Sequence, residues 1–323
     1  MRQTTKSYYA LGTRITLTAK HPDPGGQLAR AIGIIGRYEA LLSANLASSE
    51  VSRVNQSAGI EPVEVAPAAY GLIREAVLVS RSGKGFNAAI GPLVQLWRIG
   101  FDDARRPSSK AIETCLGLSD PNRIVFDDDK RSVFLERPGM RLDLGAIAKG
   151  FIADAIKQAW ADAGVERGVI DLGGNIATLG QGPRPDGRWR IGVQTPFAER
   201  GRPLGVLTLP ACSAVTSGVY ERVLQARGGD WHHILDPRTG YPLRTDLLGV
   251  TAITALSTTA EIWSTIGFCN GPQATLQMVP AGLRVGFVFV FDHQTVRLCP
   301  GELAADFTLI DDGYQVTQSQ ALG

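Results

Sequence analysis

Two of the four histidines of this chain stand side by side, at His232 and His233. Histidine changes charge near neutral pH more readily than any other side chain, which suits it to proton transfer. Three residues later comes Asp236-Pro237-Arg238-Thr239-Gly240, where proline fixes one backbone dihedral and glycine tolerates positive φ. A titratable pair that ends a short apolar strand and precedes a stiff turn is typical of a positioned catalytic or ligand-binding group. An ordinary strand-to-loop corner is the alternative, and this segment alone leaves both open.

Three glycine-rich segments have the small residues that a phosphate-binding loop requires. Residues 145–150 precede a predicted helix, whose amino-terminal N–H groups favour anions, and Lys149 adds a point charge there. Residues 171–175 end a predicted strand with two glycines, and residues 82–87 place Phe86 where it could sandwich a flat heterocycle. Each segment also has an ordinary explanation: tight helix–sheet packing, a plain turn, or an aromatic ring in the core.

A fourth feature is the pair Glu261 and Thr265, four residues apart in a predicted helix. At this spacing both side-chain oxygens project from one face of the helix. A carboxylate and a hydroxyl, joined by a backbone carbonyl and phosphate oxygens, would form an all-oxygen ligand set suited to Mg²⁺. A solvated helix face is the ordinary alternative for such a pair.

Composition excludes several functional classes. The 323 residues are 44% hydrophobic and 20% charged, which describes an ordinary globular protein with ample material for a core. Lys and Arg number 33 against 31 Asp and Glu, for a net charge of +2, so no basic surface for nucleic acid or membrane is indicated. The length allows about two units, or one large domain.

The cysteines and the amino terminus carry no compartment signal. The four cysteines are scattered without metal-ligand spacing, which predicts isolated buried thiols rather than a disulfide framework or a zinc site. The first residues lack an apolar segment and a lipobox-like cysteine, so the chain as given is expected to be cytoplasmic, or periplasmic if a leader was removed. No apolar run approaches the ~20 residues of a membrane span.

The elements that must position these residues follow from apolar periodicity and turn signals. Helices are predicted over residues 27–42, from Pro67 to about 83, from a serine cap at 108 or 109 to about 118, from a strand end at 143–147 to about 163, and over 257–268 with Ser257 as the cap. Strands are predicted over 9–18 (interrupted by Gly12), 123–126, 132–136, 168–172, 189–194, 205–209, 212–217, 248–256, 286–291 and 295–298. Because helices cluster early and strands later, an α+β fold is predicted.

Taken in order, these segments resemble the FAD:protein FMN transferase (ApbE) family. The resemblance covers nearly the whole chain, and the ordered set is far more specific than any one motif. It rests on residues 11–13 (Leu-Gly-Thr), 49–55 (Ser-Glu-Val-Ser-Arg-Val-Asn), 85–87 (Gly-Phe-Asn), 91–97 (Gly-Pro-Leu-Val-Gln-Leu-Trp), 143–150, 171–175, 216–222 (Thr-Ser-Gly-Val-Tyr-Glu-Arg), 232–240 and 260–265 (Ala-Glu-Ile-Trp-Ser-Thr).

The resemblance implies a single ApbE-type α+β domain over residues 1–323 that binds FAD and Mg²⁺. Such enzymes move the FMN half of FAD onto a Thr or Ser hydroxyl of an acceptor flavoprotein and release AMP. It implies that Mg²⁺ is held by the backbone carbonyl of Ala146 and the side chains of Glu261 and Thr265, and that His233 is the catalytic histidine. The positions expected to contact FAD are Leu11, Asn45, Gly85, Phe86, Asn87, Lys149 and Leu235.

Four positions depart from the family pattern. Leu11 stands where Met is usual, and Asn45 replaces an aromatic that often stacks on the flavin. Asn87 replaces an aspartate, and Glu261 replaces the metal-binding aspartate with a side chain one methylene longer. We therefore expect a divergent member, and three hypotheses stay open: an FMN transferase, a diphosphatase that converts FAD to FMN and AMP, and an FAD-binding paralogue with impaired catalysis.

Overall fold

The structure is a computed structural model that describes residues 1–226, 229–299, 301 and 306–318. It contains helices and mainly antiparallel sheets, so the predicted α+β class is confirmed. The helices are α1 (Pro24–Leu42), α2 (Glu50–Gln56), α3 (Pro67–Arg81), α4 (Gly91–Trp97), α5 (Ser109–Gly117), α6 (Ala148–Asp162) and α7 (Ser257–Met278), with a 3₁₀ turn at Pro121–Arg123. The strands are β1 (Arg2–Ala10), β2 (Thr13–His21), β3 (Val63–Glu64), β4 (Ile124–Asp127), β5 (Ser132–Leu135), β6 (Arg167–Leu172), β7 (Asn175–Leu179), β8 (Trp189–Gln194), β9 (Pro203–Leu209), β10 (Ser213–Gly218), β11 (Val223–Ala226), β12 (Gly229–His232), β13 (Leu247–Thr254), β14 (Gly286–Phe291), β15 (Thr295–Cys299), β16 (Asp306–Leu309) and β17 (Gln315–Gln318).

The chain divides into two compact units, each built from separate stretches of sequence. Unit 1 comprises Met1–Gly36, Lys149–Gly218 and Thr245–Gly323, and unit 2 comprises Arg37–Ala148 and Val219–Arg244. One division falls inside α1 and another falls in the first turn of α6. Each unit is therefore assembled from stretches that are not consecutive in the sequence.

Unit 1 is organised by one long sheet. Within the described residues its strand order is β1-β2-β6-β7-β10-β13-β14-β15-β17, antiparallel throughout except for the parallel pair β15 and β17. Helix α7 packs on β10 and β13, and it approaches β13 closely because Gly267 has no Cβ. Strands β16, β9 and β8 form a smaller sheet in the same unit.

A hairpin replaces the single interrupted strand that the sequence predicts over residues 9–18. Strands β1 and β2 pair antiparallel, with Ala10 opposite Thr13. The two loop residues both have positive φ, at +52° for Leu11 and +69° for Gly12. This is the signature of a type I′ turn, whose twist matches that of the paired strands. The prediction was wrong because it took the glycine for an interruption rather than for half of a reversal.

Unit 2 holds a small sheet, a hairpin and the short helices. Strands β3, β5 and β4 form the sheet, and β11 pairs with β12. An apolar cluster surrounds Trp97, which is 1% exposed. The ring centroids of Trp97 and Trp231 are 5.4 Å apart. The indole N–H of Trp97 donates to the carbonyl of Gly240 at 2.9 Å.

Most predicted helices are confirmed, and one predicted strand end is wrong. Helices α1, α3, α5 and α6 lie within a few residues of their predicted bounds, and Ser108 caps α5 by accepting from Ala111 N–H at 3.3 Å. Residues 143–147, predicted as a strand end, are not one, because the chain turns there and the Ile147 N–H donates to Leu144 O. The four cysteines are free thiols, and three of them are buried as expected, whereas Cys115 is half-buried. Among the described residues no helix has the length and apolar character to cross a bilayer.

Candidate active site

Glu261 and Thr265 lie one turn apart on α7, as predicted. The Glu261 side chain is almost fully buried at 5% exposed, whereas Thr265 is half-buried. The helix is interrupted at Gly271, whose φ of +73° and ψ of +175° are not helical, and Pro272 begins a second helical stretch. The helix predicted over residues 257–268 therefore corresponds to the stretch that carries this pair, before the interruption.

Two neighbours compensate the buried carboxylate of Glu261. The amide Nδ2 of Asn175 donates to Oε1 at 2.8 Å, and Lys149 Nζ lies 3.8 Å from the same oxygen. A buried carboxylate without such partners would be strongly unfavourable. All three residues belong to unit 1, so the structure brings together two predicted site residues, Lys149 and Glu261, and adds Asn175.

The amino terminus of α7 is capped differently from the prediction. Ser257 is the first helical residue rather than the cap, and its hydroxyl donates to Asn175 Oδ1 at 2.6 Å. The cap comes from α6, where the Asp154 carboxylate accepts from the Ser257 N–H at 2.7 Å and from the Thr258 N–H at 2.8 Å. The prediction was wrong because a carboxylate distant in sequence takes the donors that a local serine would otherwise satisfy.

Lys149 and Gly150 occupy the first turn of α6. The helix dipole and the ammonium group together make this turn favourable for an anion. Gly150 permits a close approach, because a Cβ there would lie 2.6 Å from Ser257 O and 2.8 Å from Glu261 Cγ. The glycine of this motif thus serves helix packing and leaves space for the Glu261 side chain.

Residues 171–175 form the reversal between β6 and β7. Gly173 and Gly174 have φ of +73° and +93°, and both N–H groups donate to Asp171 Oδ1, at 3.0 and 3.1 Å. This is the plain turn that the sequence left open as an alternative to a phosphate loop. The turn places the Asn175 side chain in hydrogen-bond contact with Glu261.

In unit 2 the loop at residues 85–89 is fixed to the segment before α6. The Asp143 N–H donates to Ala88 O at 2.8 Å, and the Asn55 amide makes two bonds with the Leu142 backbone, at 2.6 and 3.0 Å. Removal from solvent raises the pKa of the Asp143 carboxyl, opposed by the Gly145 N–H that donates to it. Three motifs of the resemblance therefore meet here.

Asn87 is held at both ends by backbone groups. Its Nδ2 donates to Ser119 O at 2.9 Å, and its Oδ1 accepts from the Ala89 N–H at 2.8 Å. Beside it Phe86 is 2% exposed, so its ring packs in the core rather than presenting a face to a heterocycle. Gly85 is buried with φ of +95°.

Asn45 and Ala146 are the exposed members of the predicted set. The Asn45 side chain faces α4, where Gln95 Nε2 lies 3.5 Å from its Oδ1. Ala146 lies in the turn that leads into α6. No group of three or more His, Cys, Asp or Glu side chains in the described residues could hold a metal.

The two adjacent histidines have different surroundings. His232 Nε2 bonds to Leu243 O at 2.8 Å, and its Nδ1 accepts from the Ile234 N–H at 3.3 Å, which assigns the ring proton to Nε2. Burial lowers the pKa of His232, so the ring stays neutral at pH 7. The half-buried His233 is tied by its backbone N–H to Arg222 O. These contacts give His232 a structural role.

The turn after the histidines is closed by several hydrogen bonds. The Asp236 N–H donates to Tyr241 O at 2.8 Å, and its carboxylate accepts from the backbone and guanidinium of Arg238. Gly240 has φ of +74°, and a Cβ there would lie 2.7 Å from Ile112. Leu235 is 6% exposed and pairs with Pro242 in an isolated bridge.

The model of the ApbE family matches residues 11–288. The chain belongs to the ApbE family. It is 41% identical over 294 residues to the FAD:protein FMN transferase of Klebsiella pneumoniae (strain 342), covering 91% of this chain and 90% of that protein. It is 33% identical over 318 residues to the enzyme of the same name from Treponema pallidum (strain Nichols), covering 93% and 88%.

Solved structures agree with this membership. The ApbE protein of Thermotoga maritima superposes with a TM-score of 0.83 at 28% identity, over 93% of this chain and 97% of that one. The ApbE resemblance that the motifs indicated is thus confirmed, and the chain is a transferase. Three side chains described above have no role predicted from the sequence: Asn175, Asp154 and Asp143. Only the placement of Asn175 next to two glycines could have drawn attention to it.

Proposed function

We propose that this ApbE-family chain is a Mg²⁺-dependent FAD:protein FMN transferase, with residues 1–323 as one catalytic domain. The names of the relatives from Klebsiella pneumoniae and Treponema pallidum support the reaction class. The observation that carries the proposal is the cluster on α6 and α7: a buried Glu261 carboxylate, Thr265 one turn on, and Lys149 at 3.8 Å. An ammonium group near oxygen ligands for a divalent cation suits a diphosphate substrate, whose transfer depends on neutralising phosphate charge.

The residues present fit Mg²⁺. A carboxylate and a hydroxyl on one helix face are the oxygen donors that this ion prefers, and burial of Glu261 makes a compensating cation favourable. We propose that Glu261 and Thr265 hold the ion, and the family resemblance adds the carbonyl of Ala146. When bound, Mg²⁺ supplies charge neutralisation on the diphosphate of FAD.

The reaction is a phosphoryl transfer. The acceptor hydroxyl oxygen forms a bond with the phosphorus of the FMN half, the bond from that phosphorus to the bridging oxygen breaks, and AMP leaves with that oxygen. His233 takes the hydroxyl proton as a general base. The Lys149 ammonium offsets charge that develops on the phosphate oxygens.

We further propose that FAD is bound by Leu11, Asn45, Lys149, Leu235 and the loop at residues 85–87. The contribution of that loop would come from backbone N–H and C=O groups, since the Phe86 ring and both ends of Asn87 are engaged within unit 2. Backbone recognition tolerates the Asn87 departure, because the amide side chain has a structural task. This supports an active enzyme over an impaired paralogue.

The proposal is tested by mass spectrometry of a flavoprotein acceptor from the same genome, incubated with the chain, FAD and Mg²⁺. We expect a covalent FMN adduct on a Thr or Ser and an equal amount of AMP. AMP without any acceptor would instead identify a diphosphatase. Bound FAD with neither product, in Mg²⁺ or Mn²⁺, would contradict catalysis altogether.

Two neighbouring variants test the general base. His233→Ala should lower kcat for AMP release by about 100- to 10,000-fold, the range of a general base. His232→Gln, which keeps an amide donor within reach of Leu243 O, should stay within about tenfold of the wild type. Equal losses in both variants would contradict the assignment to His233.

A further inference from the structure

Asn175 is an enclosed polar side chain that contacts the Glu261 carboxylate. It is 1% exposed at the start of β7, and its Nδ2 donates to Glu261 Oε1 at 2.8 Å. The two residues are 86 positions apart in sequence, so the contact joins the β6–β7 turn to α7. A hydrogen bond to an ionised carboxylate is stronger than one between neutral groups.

The orientation of the Asn175 amide is itself fixed. Ser257 Oγ donates to Asn175 Oδ1 at 2.6 Å, which leaves the NH₂ group to face Glu261. The opposite orientation would place an amide oxygen against a carboxylate oxygen, which is repulsive. Ser257 is in turn held by its backbone N–H on the Asp154 carboxylate at 2.7 Å. The chain Asp154–Ser257–Asn175–Glu261 therefore runs without a break through unit 1.

The same enclosure fits the length of glutamate. Gly150 leaves space beside Glu261, since a Cβ there would lie 2.8 Å from its Cγ. Shortening the side chain to aspartate would withdraw the carboxylate by about 1.5 Å, one C–C bond. An N–O distance of 2.8 Å would then exceed the range of a hydrogen bond.

We propose that Asn175 is a positioning residue for Glu261, which turns the carboxylate plane so that a divalent cation can be bound. The inference rests on the proposed function for the cation itself. One oxygen, Oε1, is held by the amide, so the direction of Oε2 is set. Asn175 itself does not contact the metal or FAD in this assignment; it acts through Glu261.

The test is a Mn²⁺ titration of the full chain, with free Mn²⁺ measured by electron paramagnetic resonance. Asn175→Ala should weaken Mn²⁺ binding by about 10- to 100-fold, the usual effect of a lost partner behind a metal ligand. In enzyme assays it should raise the Mn²⁺ concentration for half-maximal AMP release, with kcat at saturating Mn²⁺ near the wild-type value. Ser257→Ala, a milder change, should weaken binding in the same direction.

A double-mutant comparison of Asn175 and Glu261 distinguishes a positioning role from a general loss of stability. In a Glu261→Asp background the side chain no longer reaches the amide, so Asn175→Ala should change Mn²⁺ affinity by less than about threefold. The matched control is Thr178→Ala on the same strand, whose buried hydroxyl bonds to the Cys212 backbone. It should lower the melting temperature and leave Mn²⁺ affinity unchanged.

The outcomes are distinct. Unchanged Mn²⁺ affinity in both Asn175→Ala and Ser257→Ala would overturn the positioning role while leaving the proposed function intact. An equal loss in the Glu261→Asp background, or in Thr178→Ala, would also overturn it. A wild-type chain that binds no Mn²⁺, alone or with ADP, would overturn the metal site of the proposed function and this inference together.

Discussion

The side chain of Asn87 has a task that an aspartate could not perform at neutral pH. Its NH₂ group donates to Ser119 O while its oxygen accepts from the Ala89 N–H, so both ends are used by the backbone of unit 2. An ionised carboxylate would keep the acceptor and face the Ser119 carbonyl with a second oxygen. The backbone groups around position 87 therefore suit the asparagine of this chain better than an ionised aspartate.

We predict that Asn87→Asp lowers the free energy of unfolding by about 1–3 kcal/mol at pH 7, the usual cost of an unsatisfied buried polar contact. The measurement is urea unfolding at a series of pH values. The deficit should shrink toward pH ~4, because a protonated carboxyl can again donate to Ser119 O. A variant as stable as the wild type at pH 7 would refute the structural role of the amide.

His232 gives the molecule a pH-dependent stability. Burial lowers its folded-state pKa below the ordinary value of about 6.5, so the unfolded chain binds a proton more readily. Stability from this residue is complete above pH ~6.5 and is lost as the pH falls from there toward the folded-state pKa. The difference in unfolding free energy between wild type and His232→Gln should therefore shrink from pH 7.5 to 5. A difference between the urea midpoints of the two proteins that stays constant from pH 7.5 to 5 would exclude the effect.

The individual residues show what the sequence could and could not predict. The pairing of Glu261 with Thr265 follows from helical spacing and needed no tertiary information. The partners of Glu261 did not follow, because Asn175 and Lys149 reach it only through the packing of β7 and α6. Phe86 shows that residue type alone does not predict a ligand contact. An aromatic ring suits stacking on a flavin, but the Phe86 ring is buried in the core.

At the scale of elements, the β1–β2 hairpin stores backbone strain at a position expected to contact FAD. Leu11 has φ of +52°, which costs an L-residue with a Cβ roughly 1–2 kcal/mol. Asparagine tolerates this conformation, and alanine does not. We predict that Leu11→Asn is more stable than Leu11→Ala by about 1 kcal/mol in urea unfolding. The comparison is matched because both variants lose the same leucine packing, and equal stabilities would show that the turn is relaxed.

Element ends were predicted well only where the signals are local. Ser108 caps α5 and Gly271 interrupts α7 because each acts through its own backbone neighbours. Ser257 was misread as a cap because Asp154, 103 residues earlier, supplies the acceptor instead. Whether a distant side chain replaces a local cap depends on which helices pack together, and a single sequence does not show which helices do so.

At the scale of the whole molecule, binding of FAD and Mg²⁺ should stabilise the folded state by mass action. At a ligand concentration 100 times Kd the gain is about 2.7 kcal/mol, which a thermal melt resolves easily. We predict that Mg²⁺ adds a further rise in Tm to FAD-loaded wild type and adds none to Glu261→Gln. A Mg²⁺-dependent rise of the same size in the variant would show that the ion binds elsewhere.

The interleaving of the two units limits how the protein can be dissected. Unit 2 comprises Arg37–Ala148 and Val219–Arg244, so no single cut in the chain releases it. The sequence predicted an α+β class from the distribution of elements, and it predicted the family from ordered motifs. It did not predict the division into units, because composition is even along the chain and no linker marks a boundary.

The contact between Asn175 and Glu261 constrains the history of this protein. Gly150 is required by the packing of α6 against α7 whichever acid stands at position 261, because a Cβ there would lie 2.6 Å from the Ser257 carbonyl oxygen. Asparagine at 175 favours keeping the longer acid, because reversal to aspartate breaks the amide contact. We therefore expect homologous sequences that carry glutamate at the position of Glu261 to carry asparagine at the position of Asn175.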